Sequence, residues 1–569
     1  MNESMRVPSL PVMSRFWLTA WSATLSLGWL LPNHYLPWTA FHFDVWIAFV
    51  VALAGAAVIV RAPDRFPWFD AALLTSVLVV LAWLQQAAGM IGFIGTTWIS
   101  SAFLLGLLLA LLIGAQWESA TAGQLGDGLF LAIGLAALVS VGMQLQQWLG
   151  LDGLDELEVW IMRDNFGRPF ANFGQPNQLA TFLLWGLLAL GWAWVRRLVA
   201  GPVAILGALY LLFGLAMTNS RTGWLATMLL LSAVWYWRGH WPSARLPWVA
   251  TALVAFFFLC TASLGGLREV LLLAEHRDLL DPMRLSTETR PAIWALFADA
   301  AWQRPWWGYG WNQTLLAQLE VAADRTRIGA FSYAHNLFLD LVLWMGIPMG
   351  LAVALGVVVW MWRTVRKVRN AEDVLLVLFL LVVANHAMLE LPLHYAYMLL
   401  PAGLVAGMLD VRAGATPRLR TGRLVPAGLW LLACALLGLI ISDYASVEPA
   451  YRNQRFVQAN IRTPPSEPLD LLLLTQLQAH LRMTQFEPDD HMSEADLDWM
   501  RRTVAFNPAP ASFQKVAAAM AWNGHPEEAG LWLRRMCKVV SEVQCDIVRR
   551  SWDRMASSDP RIAAVPWPK

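Results

Sequence analysis

Thirteen apolar stretches decide what this chain can become. They lie at about 16–31, 43–60, 70–90, 97–115, 125–147, 178–195, 201–218, 222–238, 247–265, 336–362, 373–393, 395–410 and 424–442. A helix rises 1.5 Å per residue, so a run of about 16–25 residues crosses a ~30 Å hydrocarbon layer. Composition agrees: of 569 residues, 57% are hydrophobic and 14% charged, where a soluble chain carries roughly a quarter charged. The expected fold class is an all-α polytopic membrane protein with about thirteen transmembrane helices. A disordered chain, a collagen-like chain and a set of ordinary soluble domains are excluded. Lys and Arg number 41 against 40 Asp and Glu, net +1, so no basic excess points to nucleic acid. Trp17, Trp21 and Trp29 occupy the first stretch, where a cleaved leader needs small residues, so this helix is expected to stay.

Basic residues set the expected orientation. One set of connections holds Arg6, Arg15, Arg61, Arg65, Arg196, Arg197, Arg238 and Arg245, then Arg363, Arg366, Lys367, Arg369, Arg412, Arg418, Arg420 and Arg423. The short connections of the other set hold Arg221 alone. The N-terminus is therefore expected in the cytoplasm, and an odd number of crossings puts the C-terminus outside. Three long outer segments follow, at about 148–177, 266–335 and 443 onward, so the chain divides into a membrane domain (1–442) and an outward helical tail (443–569). Long loops in compact domains commonly carry function. Within the tail, Ala517 to Ala529 reads as helix, Asn-Gly turn, helix, similar to one tetratricopeptide-type hairpin. Cys260 and Cys434 fall within spans and are expected free and buried. Cys537 and Cys545 share the tail, where an oxidising compartment permits a disulfide, the other reading being two unpaired thiols.

Polar residues near a membrane mark candidate sites, and here they gather on the outer side. Arg168 precedes Asn172, Gln175, Asn177 and Gln178 at the start of the sixth span. Four carboxamides exceed what a helix cap requires, and they suit sugar hydroxyls or a diphosphate without adding charge. Arg221 opens the eighth span and can clamp an anion bidentately or snorkel to headgroups. Arg290 precedes Pro291 and Trp294, which suit the first turn of a helix lying along the interface. His335 and Asn336 begin the tenth span; a neutral imidazole with an ordinary pKa of ~6.5 is a competent general base. His386, Glu390 and His394, followed by Tyr397, are spaced i, i+4, i+8. A shared metal is one reading of that spacing, but Pro392 should bend the helix, and a hydrogen-bonded polar seam without metal is the expectation. No phosphate-binding glycine loop or nucleotide fingerprint is present, so the reaction energy must come from the substrate, as a lipid-linked diphosphate supplies it. A flippase or transporter for lipid-linked sugars is the non-enzyme alternative; it calls for charge across the midplane, and the spans are nearly charge-free apart from Asp127 and the His386 region.

Taken together these motifs resemble the O-antigen ligase and polymerase superfamily. The likeness rests on Arg290 to Trp294, the turn from Pro305 to Gly310, and His335-Asn336. More narrowly, Arg168 to Ala180 and Glu390 to Tyr397 resemble the PglL-type bacterial protein O-oligosaccharyltransferases. The resemblance implies en bloc transfer of an oligosaccharide from undecaprenyl diphosphate to Ser or Thr hydroxyls of periplasmic or pilin-like proteins, in the inner membrane of a Gram-negative bacterium. It implies a catalytic set of His335, Arg290 and Arg221, substrate contacts from the carboxamide cluster, Asn336, Glu390, His394 and Tyr397, and no cofactor or metal. Within the same superfamily, a ligase acting on lipid A–core and a Wzy-type glycan polymerase remain open.

Overall fold

The computed structural model describes residues 12–61, 63–151, 159–164, 167–273, 282–461 and 469–568, with backbone alone over 282–289. Arg6, the side chains of residues 287–289, and parts of two long segments (152–158 and 274–281) lie outside the described residues.

A helix stands on every predicted stretch. They are α1 (Arg15–Leu27), α2 (Phe41–Arg61), α3 (Asp70–Ala87), α4 (Ile94–Ala120), α5 (Gln124–Trp148) and α6 (Pro176–Val195). Next come α7 (Gly201–Met217), α8 (Arg221–Tyr236) and α9 (Leu246–Val270). The long segment after α9 contributes α10 (Pro282–Gln303) and α11 (Thr314–Ala322). Then follow α12 (Leu337–Met345), α13 (Ile347–Val365), α14 (Ala371–Ala387), α15 (Ala396–Arg412) and α16 (Leu424–Gln458). Eight of these (α2 to α6, α9, α13 and α16) are long and apolar enough to cross a membrane. Of the remaining helices on predicted stretches, α1, α7, α8, α12, α14 and α15 have 9–17 residues. The protein is an integral membrane protein built of helices.

Several expectations change. The stretch 336–362 is two helices, α12 and α13, separated by Gly346 at φ 81°; a Cβ there would lie 2.3 Å from the Trp306 carbonyl oxygen, so only glycine lets the two backbones meet. Pro291 does not open a helix but sits inside α10, because the residues before it, from Pro282 on, already form helix. The chain is not wholly helical: β1 (Arg65–Trp68) pairs antiparallel with β2 (Leu419–Gly422), Arg65 opposite Gly422. These are four-residue strands, with none of the sustained apolar alternation that announces a strand. Asp127 lies in the first turn of α5, bonded to Arg196, rather than at mid-span. Of the two free thiols, Cys260 is buried and Cys434 only half-buried.

Two compact units form: Met1–Ser76 with Phe103–Pro282 and Val357–Leu437, and Val77–Ala102 with Met283–Gly356 and Gly438–Lys569. In the first, Trp185 of α6 stacks on Phe379 of α14 with ring centroids 3.9 Å apart, and its indole N–H donates to the Phe379 carbonyl. Such pairs suit helices in lipid, where packing and hydrogen bonds replace a hydrophobic drive. One face of this unit is tied by charge. Arg412 bonds Glu118, Glu372 and Asp373 at 2.7, 2.9 and 3.1 Å, while Arg196 bonds Asp127 and Glu372. Arg61 donates to the Val12 carbonyl, Arg418 to Asp70, and Gln124 to the Met13 carbonyl. Arginines that sequence assigns to one side thus bind the connections of that side together. Because Arg412 and Glu118 are nearly buried, losing one partner would cost about 3–5 kcal/mol.

In the second unit the tail folds as α17 (Thr475–Gln485), α18 (Glu494–Phe506), α19 (Pro510–Trp522), α20 (Pro526–Val539), α21 (Glu542–Ala556) and α22 (Pro560–Ala563). The α19–α20 hairpin turns at Gly524, φ 87°. Cys537 and Cys545 are joined, S–S 2.01 Å. The tail's core of Met500, Phe513, Met520, Leu533 and Trp552 also takes in Leu319 and Ala322 from α11, in the loop before α12. The tail is thus folded around a piece of that loop.

Candidate active site

In the first unit, the residues leading into α6 converge with those leading into α8. Gln175 is the N-cap of α6, but its side chain caps nothing. Instead its Nε2 donates to Glu390 Oε2 at 2.7 Å, and Asn177 Nδ2 donates to Glu390 Oε1 at 2.6 Å. Ser220 Oγ donates to Asn177 Oδ1 at 2.6 Å and accepts from the Gly223 N–H, capping α8. His386 completes the cluster, its Nε2 3.4 Å from Glu390 Oε2 and its Nδ1 2.9 Å from Thr181 Oγ1. Two carboxamide donors to one carboxylate are charge-assisted bonds, the stronger kind. Arg168 secures the same turn from its other side, donating through Nε and Nη2 to the Thr218 carbonyl and through Nη2 to the Asn219 carbonyl. Asn219 is left-handed, φ 46°. Held from both sides, this turn presents Arg221 at the N-terminus of α8 with its side chain exposed. A helix start and an exposed guanidinium favour an anion.

The remaining residues singled out in this unit divide. Asn172 is fully buried and braces the loop, donating to the Leu30 and Trp160 carbonyls and accepting from the Met162 N–H. Tyr397 is buried against Phe43 and Phe173. Gln178 is buried, and its amide has no hydrogen-bond partner among the described residues. His394 closes a short 3-10 turn, Pro392–His394, and is half-buried. Helix α14 ends at Ala387, so His386, Glu390 and His394 do not form one helical row. Among the described residues no group of three or more His, Cys, Asp or Glu is placed to hold a metal.

In the second unit, His335 stands in the left-handed region, φ 54°. A non-glycine residue there costs about 1–3 kcal/mol and persists only where its surroundings hold it. Asn336 caps α12, its Oδ1 accepting from Phe338 and Leu339 N–H at 3.1 and 3.2 Å. Ahead of His335, the Ala334 N–H donates to Asp340 Oδ1 at 2.9 Å. The Phe331 and Tyr333 rings meet the imidazole edge-on, centroids 5.5 and 5.2 Å away. The imidazole is half-buried, as is Arg290 on α10. Trp306 and Trp307, in the turn after α10, are exposed.

Sequence comparison meets these same segments. The family described as "Protein glycosylation ligase" matches residues 169–194, "O-Antigen ligase" matches 206–353, and "Virulence factor membrane-bound polymerase, C-terminal" matches 374–544. A general O-oligosaccharyltransferase of Acinetobacter baylyi is 28% identical over 541 residues, 92% of each chain. Along these segments the chain is similar to the PglL-type branch of the O-antigen ligase superfamily. A ComP-specific O-oligosaccharyltransferase of the same organism is 27% identical over 356 residues, 62% of each chain. The glycosylation-ligase segment carries Gln175, Asn177 and Gln178; the O-antigen ligase segment carries Arg221, Arg290, His335 and Asn336. Glu390 and most of the tail fall in the third. Sequence reasoning passed over Thr181, Gln318 and Asp340. For Asp340 a signal was available: a carboxylate in an apolar stretch, close after His335.

Proposed function

We propose that this protein is an oligosaccharyltransferase that moves a glycan en bloc from a polyprenyl-diphosphate donor, undecaprenyl diphosphate by family resemblance, to Ser or Thr hydroxyls of an outward-facing protein such as a pilin. One observation carries the reading: the likeness to a general O-oligosaccharyltransferase runs through 92% of both chains. In this scheme His335 takes the proton of the acceptor hydroxyl as its oxygen attacks the anomeric carbon. The bond to the diphosphate breaks, the configuration inverts, and the leaving group departs with the bonding electron pair. Arg221 and Arg290 bind the diphosphate and stabilise that charge, an effect of a few kcal/mol for a well-placed donor. Gln175, Asn177, Arg168 and Glu390 set the turn that carries Arg221, and Gln178 and His394 contact the glycan. The membrane domain crosses the inner membrane thirteen times with its N-terminus in the cytoplasm. The ion-paired face that joins Arg412, Arg196 and Arg418 to neighbouring connections supports that orientation, and the bonded Cys537 and Cys545 fit a tail in an oxidising compartment. The tail is then a periplasmic helical domain of the tetratricopeptide kind.

The test is co-expression with a lipid-linked glycan and a pilin-like acceptor, followed by mass spectrometry of the pilin. The wild type adds the whole glycan and His335→Ala adds none. An unmodified pilin beside glycosylated lipopolysaccharide would establish a lipid acceptor instead; full transfer by His335→Ala would remove that residue from the chemistry.

A further inference from the structure

His335 owes its unusual backbone to what precedes it. Residues 327–334 cross from α11 to α12 as an irregular strap, and the strap is bonded at four points within the second unit. Arg327 Nε donates to the Cys537 carbonyl at 2.7 Å. Gln318, fully buried on α11, grips the middle with both halves of its amide: Nε2 donates to the Gly329 carbonyl at 2.5 Å, and Oε1 accepts from the Phe331 N–H at 2.7 Å. Asp340, buried on α12, accepts the Ala334 N–H at 2.9 Å. The same Asp340 oxygen accepts from Thr314 Oγ1 at 3.0 Å, and Thr314 in turn accepts from the Trp344 indole at 2.7 Å. Thr314 and Gln318 are one turn apart on α11 and so share a face. The neighbouring face of that helix, Leu319 and Ala322, is buried in the tail's core.

We propose that Gln318 and Asp340 are positioning residues for His335, and that the tail, through α11, is the support on which they act. This rests on the reading of His335 as the base. Side-chain amide and carboxylate here replace the neighbouring strand that would otherwise satisfy the strap's peptide groups. They fix the stretch of strap just before His335, while Asn336 fixes the residues after it. The left-handed turn between the two clamps aims the imidazole. A general base must stand within hydrogen-bond reach of the proton it removes, so freeing one clamp lowers turnover without weakening donor binding.

The test uses the purified full-length protein with lipid-linked donor and acceptor protein. Asp340→Leu and Gln318→Leu each lower kcat by about 10–100-fold with the donor KM within about threefold. Asp340→Asn retains an acceptor oxygen and returns kcat to within about threefold of wild type, with the pH–rate profile unmoved. Gln318→Glu keeps the acceptor for Phe331 but not the donor for Gly329, and falls in between. Wild-type kcat in Asp340→Leu overturns the proposal. So does Asp340→Asn as slow as Asp340→Leu, which would mean that charge acts rather than position. If the leucine variants do not fold, Gln318→Glu decides: a kcat equal to wild type overturns the proposal, and a several-fold loss at unchanged melting temperature supports it. His335→Ala is the separate control, since activity there removes the base itself and not merely its support.

Discussion

Exchanging the amide and the acid across the Asn177–Glu390 bond isolates what holds Arg221 in place. Asn177→Asp is nearly isosteric, and its Oδ1 still accepts from Ser220. The Nδ2 that donated to Glu390 Oε1 at 2.6 Å becomes an oxygen, so two carboxylate oxygens face each other at a buried site. Losing a charge-assisted bond and leaving its acceptor unsatisfied costs about 2–3 kcal/mol. At 1.4 kcal/mol per tenfold, the population with the 218–221 turn in place falls about 30–150-fold, which bounds the loss in transfer rate. Adding Glu390→Gln reverses the polarity: the introduced amide donates to the carboxylate now at position 177, and its oxygen still accepts from Gln175. The double variant is expected to recover to within about tenfold of wild type, and the coupling energy to reach about 1–2 kcal/mol. The assay is transfer to a purified acceptor under saturating donor, with melting temperature measured in parallel. Wild-type activity in Asn177→Asp, or additive losses in the double variant, would refute the positioning account of this network.

The tail should be acid-sensitive through one histidine. His480 is buried beside Tyr451, its Nε2 faces the Asn507 amide, and burial lowers its pKa from 6.5 to about 4. The unfolded tail therefore binds a proton that the folded one refuses, so this contribution is complete above pH 6.5 and lost as pH falls towards 4. The loss is about 3 kcal/mol, read as a falling tail stability by hydrogen exchange and absent in His480→Phe; a flat wild-type profile between about pH 7 and 4 would contradict it. Gly346→Ala forces a Cβ to 2.3 Å from the Trp306 carbonyl at φ 81° and should lower stability by about 2 kcal/mol or more. Gly356→Ala, with nothing within 4 Å, should leave the melting temperature within a degree or two or raise it slightly.

Much of the helical framework is legible in the chain because a long apolar run has few alternatives to a membrane helix. What stays hidden has local causes. The break at Gly346 lies inside a long, mostly apolar stretch, where composition says nothing about a carbonyl from another segment approaching the backbone. The β1–β2 ribbon is set by two connections far apart in the chain meeting, not by strand propensity. At the candidate site, residue types pointed to positions more readily than to roles. Asn177 and Gln175 read as sugar ligands because carboxamides suit hydroxyls, yet each spends a donor on Glu390. Asn336 reads as a substrate contact through the family resemblance, yet its oxygen caps α12. The polar seam expected over 386–394 is realised for His386 and Glu390, with Thr181 joining from α6. A spacing pattern could not show that partner, since it comes from 205 residues away.

The burial of Leu319 and Ala322 among the tail's helices has a consequence for biogenesis. The loop that carries α11 is synthesised well before the helices that cover it. Until α18 to α20 have been made, the apolar face of α11 has nowhere to go, and the strap ahead of His335 lacks its footing. A nascent or truncated chain is thus expected to insert fully and yet remain catalytically silent. Completion of the tail becomes the event that gives the strap its footing, and with it the activity proposed for His335.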